Sequence, residues 1–269
     1  MYPFAYHRPK SLAEASELLA ADEDTKLLAG GMSLVPVMRH RLARPAALID
    51  LADIAELAAI GSKDGKLWIG AMATHFAVSR SALVQAQIPA LAKLAGGIGD
   101  PLVRNRGTIG GSLAHNDPAA CYPSAVLGLA ATIHTSVRAI PADDFIVDSF
   151  ETALAPGEII TGVSFPRPEA AAYVKFANLS SRFSIVGVFL ARSGGEIRVS
   201  ITGAGRHAFR ASALEAALGA NFTPEAARAV TVSATDLLAD IHASAEYRAH
   251  LIPELTARAV VQCLTPDPA

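Results

Sequence analysis

Two glycine-rich segments carry the residue types that suit the binding of an anion. The first, "AGGMSL", covers residues 29–34, and the second, "TIGGS", covers residues 108–112. Each combines a Gly-Gly pair with a hydroxyl residue beside a helical pattern. Backbone N–H groups in such turns converge on an anion, and the start of a helix adds to the attraction. A tight turn without a ligand is the alternative, and it is the better interpretation of either segment alone. For the two segments together, a site that grips a pyrophosphate from two sides is an equally good interpretation.

The other motifs of the chain offer weaker chemistry. "RNR", residues 104–106, either complements a phosphate or solvates the neighbouring loop. "GAGRHA", residues 203–208, matches a dinucleotide-binding fingerprint, but only a helical pattern follows it, so we interpret the match as accidental. The eight histidines are scattered, and no nucleophile elbow or P-loop occurs. We therefore expect no catalytic acid, base or nucleophile and no metal site.

The composition predicts a soluble, cytoplasmic globular protein. With 51% hydrophobic residues, 18% charged residues and a net charge of -2, the chain has no electrostatic attraction for nucleic acid or an anionic membrane. Its apolar runs are too short for a membrane span, and its start lacks the apolar stretch of a signal peptide. Cys121 and Cys263 cannot hold an iron–sulfur cluster through four thiolates. Any such cluster is therefore expected on a partner.

The elements that position the first glycine segment form a compact β-α-β-like unit. Ser11 with Glu14 predicts a capping box at the start of a helix. "TKLLAGG" predicts a buried strand that ends in a turn, "SLVPVMRHRLA" a helix, and "AALIDL" a second strand.

The elements around the second segment are more varied. "AAIGSKDGKLWIGA" predicts two short strands, residues 74–97 are helical with a break near Pro89, and "PSAVLGLAA" predicts an apolar helix. Residues 132–165 have the pattern of short strands with turns between them.

A domain boundary is predicted at "PRPEA", directly after Phe165. Three strand candidates follow it, and residues 212–262 are predicted to be helical almost throughout. Strands followed by a block of helices indicate an α+β C-terminal domain.

Three stretches of the chain resemble a known family. "LLAGGMSLVPVMRHRLARPAALIDL", "IGAMATHFAV" and "VRNRGTIGGSLAHNDPAA" are similar to the FAD-binding subunit of molybdenum hydroxylases, which include carbon monoxide dehydrogenase and the xanthine dehydrogenase group. The resemblance implies an α+β fold with a vanillyl-alcohol-oxidase (PCMH)-type FAD-binding domain. That domain would consist of two α+β subdomains, about 1–57 and 58–166, followed by a C-terminal α+β domain at 167–269.

The same resemblance assigns the residues that bind FAD. The two glycine segments would hold the diphosphate and adjoining sugar, with the glycines letting both backbones approach the pyrophosphate. Ile98 and Ile160 would pack near the flavin, and Lys175 would approach its pyrimidine end. The implied cofactor-binding set is Ala29, Gly30, Gly31, Met32, Ser33, Leu34, Ile98, Thr108, Ile109, Gly110, Gly111, Ser112, Asn116, Asp117, Cys121, Ile160 and Lys175.

Three positions depart from the family pattern. Cys121 stands where an acidic residue commonly bonds the sugar chain, so Asn116 or Asp117 would supply that contact. Ser112 replaces an Asn, and Phe183 replaces an acidic residue near the isoalloxazine ring. The change at Phe183 leaves the electron acceptor open.

The function implied is electron transfer within a multi-subunit molybdenum hydroxylase. A large partner would carry the molybdopterin cofactor, and a small partner would carry [2Fe-2S] clusters that reduce the FAD of this chain. The whole would be a dimer of heterotrimers, with NAD, a quinone, a carrier protein or oxygen as the final acceptor. The alternatives are a self-sufficient FAD oxidoreductase of the same fold and a flavin-free scaffold subunit.

Overall fold

The N-terminal part of the chain is a small parallel sheet with two helices. The structure, a computed structural model, describes residues 1–265. The strands and helices of this part are β1 (Ala5–His7), α1 (Leu12–Ala20), β2 (Lys26–Leu28), α2 (Leu34–Arg39) and β3 (Ala47–Asp50). The sheet order is β1-β3-β2, and β2 runs parallel to β3, which confirms the predicted β-α-β unit. The predicted helix start is also confirmed, because the Ser11 side chain accepts a hydrogen bond from the Glu14 N–H at 3.2 Å.

The middle part is a five-stranded antiparallel sheet covered by helices. Its strands are β4 (Ile60–Lys63), β5 (Lys66–Gly70), β6 (Thr132–Thr135), β7 (Ala139–Pro141) and β10 (Ile160–Phe165), in the order β4-β5-β10-β6-β7, with the hairpin β8 (Ile146–Asp148) and β9 (Glu151–Thr152) beside them. Its helices are α3 (His75–Arg80), α4 (Ala82–Gln87), α5 (Pro89–Gly96), α6 (Pro101–Arg106), α7 (Ile109–His115), α8 (Cys121–Gly128) and α9 (Ala142–Phe145). The predicted break at Pro89 is confirmed, since Pro89 opens α5.

The C-terminal part is a four-stranded antiparallel sheet packed against helices. Its elements are β11 (Ala170–Ala177), β12 (Ser184–Ser193), β13 (Glu196–Thr202), β14 (Phe209–Arg210), α10 (Ser212–Ala220), α11 (Pro224–Arg228) and α12 (Ala245–Leu264). This α+β arrangement confirms the predicted fold class. Three hydrophobic clusters of the described residues lie mainly in these three parts, and the predicted domain bounds stay a prediction.

Helix α8 joins the middle and C-terminal parts. All eight of its residues are buried, which explains an apolar run without a polar face. The C-terminal sheet donates a hydrogen bond to a carbonyl of this helix, since Arg198 Nε of β13 donates to the Leu127 oxygen at 2.8 Å. A side chain at Gly128 would meet the Phe189 ring at 2.8 Å, so the glycine permits this close packing.

The prediction of helix across residues 212–262 was wrong for residues 229–244. This stretch is irregular because its polar groups find other partners. The Leu238 N–H donates to the Ala204 oxygen at 2.8 Å, and the Asp240 carboxylate accepts the backbone N–H of His242 at 2.8 Å. Such local side-chain bonds compete with a helix ladder. The short helix α9 was also missed, in a region predicted as strands and turns.

The fingerprint match at residues 203–208 begins no helix. Gly203 follows β13 with φ of +82° and donates its N–H to the Pro118 oxygen at 2.8 Å. The short strand β14 comes next, so the interpretation of an accidental match is confirmed. Within residues 1–265, no helix is long and apolar enough to cross a membrane.

Candidate functional site

A cavity of about 600 Å³ lies where the three parts of the chain meet. Its volume is in the range of small-molecule and cofactor sites. Most of the residues assigned by resemblance line it, namely Ala29, Gly30, Gly31, Met32, Ser33, Leu34, Ile98, Thr108, Gly110, Gly111, Ser112, Asp117, Cys121, Ile160 and Lys175. The tertiary structure thus brings both glycine segments to the same cavity, although about 80 residues of chain separate them.

The first glycine segment presents free backbone donors to this cavity. It follows β2, turns at Gly31 with φ of +74°, and leads into α2. The N–H groups of Gly31, Met32, Ser33 and Leu34 donate to no acceptor among residues 1–265. Unpaired amides at the start of a helix attract an anion. The free amides are compatible with the expected anion-binding concavity, which stays a prediction for this segment.

The second glycine segment has its donors already occupied. Gly110 and Gly111 lie in the first turn of α7, not in a turn before it. The first amides of α7 all have protein acceptors: Ile109 to the Ala73 oxygen at 3.1 Å, Gly110 to the Ala71 oxygen at 2.8 Å, Gly111 to Thr108 Oγ1 at 3.1 Å, and Ser112 to the Thr108 oxygen at 3.0 Å. The expectation of free amides was wrong here, because the chain after β5 and the Thr108 cap take them.

Neighbouring protein atoms also require glycine at two of these positions. A Cβ at Gly30 would collide with the carbonyl of Arg106, whose carbon would lie at 2.6 Å. A Cβ at Gly110 would lie 2.6 Å from that of Ala71. The predicted approach of these glycines to a pyrophosphate stays a prediction, but the glycines also have a role within the protein. They first allow the two segments and the chain after β5 to approach one another.

Lys175 closes one side of the cavity by joining the middle part to the C-terminal part. Its Nζ donates to the Gly97 oxygen at 2.7 Å and to the Arg182 oxygen at 3.0 Å, and it lies 3.7 Å from Cys121 Sγ. Cys121 is buried at the start of α8, with Sγ 3.6 Å from Ser184 Oγ. Lys175 therefore brings a positive charge to the cavity wall while bonding two loops.

Glu158 holds another wall segment in place. Its carboxylate accepts hydrogen bonds from Thr135 Oγ1 at 2.6 Å, Arg138 Nε at 3.0 Å and the Ala155 N–H at 2.8 Å. The hydrogen bond from Arg138 is the largest cause that lowers the pKa of Glu158 to about 2. The side chain is only 1% exposed, so this carboxylate is a fixed structural anion and not a proton carrier near neutral pH.

His75 also lines the cavity, and sequence reasoning missed it as one of several isolated histidines. It follows the helix-capping Thr74 and begins α3. Its Nδ1 is buried without a hydrogen-bond partner, and its ring centroid lies 5.4 Å from that of Tyr122. Burial, and to a smaller extent the charge of Arg104, lowers the pKa of His75 to about 4. The imidazole is therefore neutral at physiological pH.

Two residues assigned by resemblance do not line the cavity. Ile109 is fully buried in the hydrophobic core. Asn116 is also buried, and its side-chain amide donates to the oxygens of Asp148 and Glu151 at 2.8 Å each. Asn116 thus fixes the β8–β9 hairpin, while Asp117 remains on the cavity wall.

Arg104 of the "RNR" motif has a protein role. Its Nη1 donates to the oxygens of Ile98 and Gly99 at 3.0 Å each, which supports the loop that reaches the cavity. Within residues 1–265, no group of three His, Cys, Asp or Glu side chains could hold a metal ion.

The cavity fits a ligand with an anionic group and a large apolar portion. Four free amides of the first segment offer donors for phosphate oxygens. Elsewhere the lining is largely apolar and includes Ile98, Val103 and Ile160, which suits a planar ring system. FAD combines these two chemical features, a diphosphate and a flavin.

Comparison with known proteins gives one consistent result. Residues 2–168 match the family described as "FAD binding domain in molybdopterin dehydrogenase". The chain is 36% identical to the nicotine 6-hydroxylase medium subunit of Paenarthrobacter nicotinovorans and 35% identical to the carbon monoxide dehydrogenase medium chain of Hydrogenophaga pseudoflava, covering 96% of both chains in each case. The structure of reconstituted CO dehydrogenase from Oligotropha carboxidovorans matches with a TM-score of 0.90 at 33% identity, covering 98% of this chain and 99% of that one.

Proposed function

Because this chain belongs to the family of FAD-binding domains in molybdopterin dehydrogenases, as the FAD-binding medium subunit of such an oxidoreductase, we propose that it transfers electrons within the complex. Electrons would arrive from iron–sulfur clusters on a small partner subunit and leave to an external acceptor. Bound FAD supplies the redox chemistry, and the chain supplies binding and orientation.

The observation that carries this proposal is the set of free amides in the first glycine segment. The N–H groups from Gly31 to Leu34 would donate to the FAD diphosphate. The second segment would form the opposite wall through Thr108, Gly110, Gly111 and Ser112. Its amides are occupied, so we assign it shape and hydroxyl groups and not the main anion contact.

The remaining lining would position the flavin and the sugar chain. Ile98 and Ile160 would pack on the ring system, and Lys175 would hold a positive charge near its pyrimidine end, where it favours the anionic reduced form. Asp117, which lies on the wall, would bond the sugar chain in place of the acidic residue that Cys121 replaces.

The partners are proposed from the relatives, which are named as medium subunits or medium chains, and the cysteine count of this chain is compatible with them. Two cysteines cannot ligate an iron–sulfur cluster that needs four thiolates. From the family membership we assign [2Fe-2S] clusters to the small partner, the molybdopterin cofactor and the substrate pocket to the large partner, and a dimer of heterotrimers to the whole. We place the complex in the cytoplasm, where the free thiols Cys121 and Cys263 stay reduced.

The test is reduction of the flavin by the assembled complex and by the isolated chain. The three subunits are co-expressed, the FAD content is measured after denaturation, and flavin bleaching is followed under anaerobic conditions after substrate is added. We expect bleaching in the complex and none when substrate is added to this chain alone. Bleaching of the isolated chain would indicate a self-sufficient oxidoreductase, and a complex without flavin would indicate a scaffold subunit.

A further inference from the structure

Two neighbouring aromatic side chains beside the cavity carry polar atoms without hydrogen-bond partners. They are His75 Nδ1 and the Tyr122 hydroxyl, and the two residues are 5% and 0% exposed. A buried polar atom without a partner costs free energy, and folded proteins satisfy nearly all such atoms. Both atoms therefore require a physical explanation.

The two side chains differ in their access to the cavity. Tyr122 is enclosed in the core, whereas His75 lines the cavity wall. His75 Nε2 also has no hydrogen-bond partner among residues 1–265. Unlike Nδ1, however, Nε2 is not a fully buried atom. The Nε2 edge of the imidazole is therefore the edge that a bound molecule can reach.

The tautomer of His75 follows from this asymmetry. A neutral imidazole has one N–H donor and one acceptor nitrogen. Buried N–H groups without an acceptor are rarer than buried acceptors without a donor. The proton therefore belongs on Nε2, with the lone pair on the sealed Nδ1. This arrangement presents a neutral N–H donor to the cavity.

Gly107 allows the imidazole to occupy this position. A Cβ at Gly107 would lie 2.5 Å from His75 Nε2. The backbones of the two residues are also joined, because the His75 N–H donates to the Gly107 oxygen at 2.9 Å. The ring, at the start of α3, is thus held against the chain that leads into the second glycine segment.

We propose that His75 is a further cofactor-binding residue, whose Nε2–H donates a hydrogen bond to an acceptor atom on the flavin or ribityl portion of FAD. The assignment to this portion rests on the apolar residues Ile98 and Val103, which line the same cavity as His75. The inference depends on the proposed function, since it requires FAD to occupy the cavity. A neutral donor fits a carbonyl oxygen, a ring nitrogen or a hydroxyl, none of which carries a full charge.

The test is the affinity of the full-length apo chain for FAD, measured by quenching of flavin fluorescence. Replacing His75→Ala should weaken binding about tenfold, the effect of one hydrogen bond to a buried donor. Tyr122→Phe is the matched control, because it removes the neighbouring unpartnered hydroxyl from a residue that does not reach the cavity. We expect its FAD affinity to equal that of the wild type.

Two further measurements separate binding from a structural role. Free imidazole should restore FAD affinity in His75→Ala, since the vacated space opens onto the cavity, and it should not affect Tyr122→Phe. Gly107→Ala, which displaces the ring and keeps the imidazole, should weaken FAD binding as His75→Ala does.

The outcomes distinguish the inference from the proposed function. If the wild-type chain and its complex bind no FAD, the proposed function fails and the inference fails with it. If the wild type binds FAD and His75→Ala binds it equally well, only the inference fails. Loss of affinity without rescue by imidazole would assign His75 a structural role and would also overturn the inference.

Discussion

The two glycine-rich segments share a sequence signature but differ in what their backbones do. In residues 29–34 the amides that follow the turn remain without acceptors. In residues 108–112 the equivalent groups are used, partly by Thr108 and partly by the chain that follows β5. One segment is open to a ligand, and the other is bonded into the scaffold.

This difference shows that a Gly-Gly pair indicates a close approach to the backbone. It does not indicate whether the approaching group is protein or ligand. Gly30 and Gly110 meet protein backbone or the side chain of Ala71, and their substitution concerns folding before it concerns a ligand. The free amides, which no residue type reports directly, are the feature that separates a ligand-binding turn from a structural one. Three experiments test this comparison, and a fourth measures a wall residue outside both segments.

The largest effect is expected from closing the approach between the segments. Gly30→Ala would place a Cβ against the Arg106 carbonyl, and Gly110→Ala would place one against Ala71. Each should lower the free energy of unfolding by about 4 kcal/mol in the apo chain, as measured by urea denaturation without FAD. Gly219→Ala, a helical position with nothing within 4 Å, is the control and should raise stability by about 1 kcal/mol. Apo stability equal to wild type in Gly30→Ala would show that the space belongs to the ligand alone.

A smaller effect is expected at Glu158, a part of the wall outside both segments. Glu158→Gln should cost about 2 kcal/mol, because its carboxylate accepts charge-assisted hydrogen bonds from Arg138. Since folding lowers the pKa of Glu158 from 4.5 to about 2, its contribution is present above pH 4.5 and is lost as the pH falls toward 2. Denaturation at several pH values should show that slope in the wild type and a reduced slope in Glu158→Gln. Equal slopes would assign the acid sensitivity to other carboxylates.

The third experiment addresses the free amides. Met32 is 41% exposed on the cavity wall, so Met32→Glu should bring a carboxylate to the amides and repel the diphosphate. We expect FAD affinity to fall about tenfold, ~1.4 kcal/mol, and less at high salt, with apo stability unchanged. Met32→Gln is the neutral control and should bind FAD as the wild type does. Equal losses in the two variants would mean that shape, not charge, caused the effect.

The smallest effect is expected from the cap of the second segment. Thr108→Val removes the oxygen that accepts the Gly111 N–H at 3.1 Å, and it should cost about 1 kcal/mol of stability. Its loss of FAD affinity should be smaller than that of Met32→Glu. Thr108→Ser keeps the hydroxyl and serves as the control. If Thr108→Val weakened FAD binding more than Met32→Glu, the second segment would be the principal anion site and the comparison would be reversed.

Local patterns predicted most of the elements that position the site. The helix of Ser11, the β-α-β unit and the break at Pro89 were predicted because caps, apolar runs and proline act within a few residues. The helix expected at residues 229–244 failed for the opposite reason. Its backbone groups bond to distant partners such as Ala204, which no local pattern reports.

The sequence by itself determined the family resemblance, the α+β fold class and the two segments that reach the cavity. These rest on residue identity and spacing, which the chain carries directly. Only the tertiary structure decided that the amides of residues 31–34 are free, that Asn116 bonds to the β8–β9 hairpin, and that His75 reaches the cavity. Hydrogen bonds join groups that are far apart in the chain. The free donors of a site can therefore be identified only when the partners of all donors are known from the folded structure.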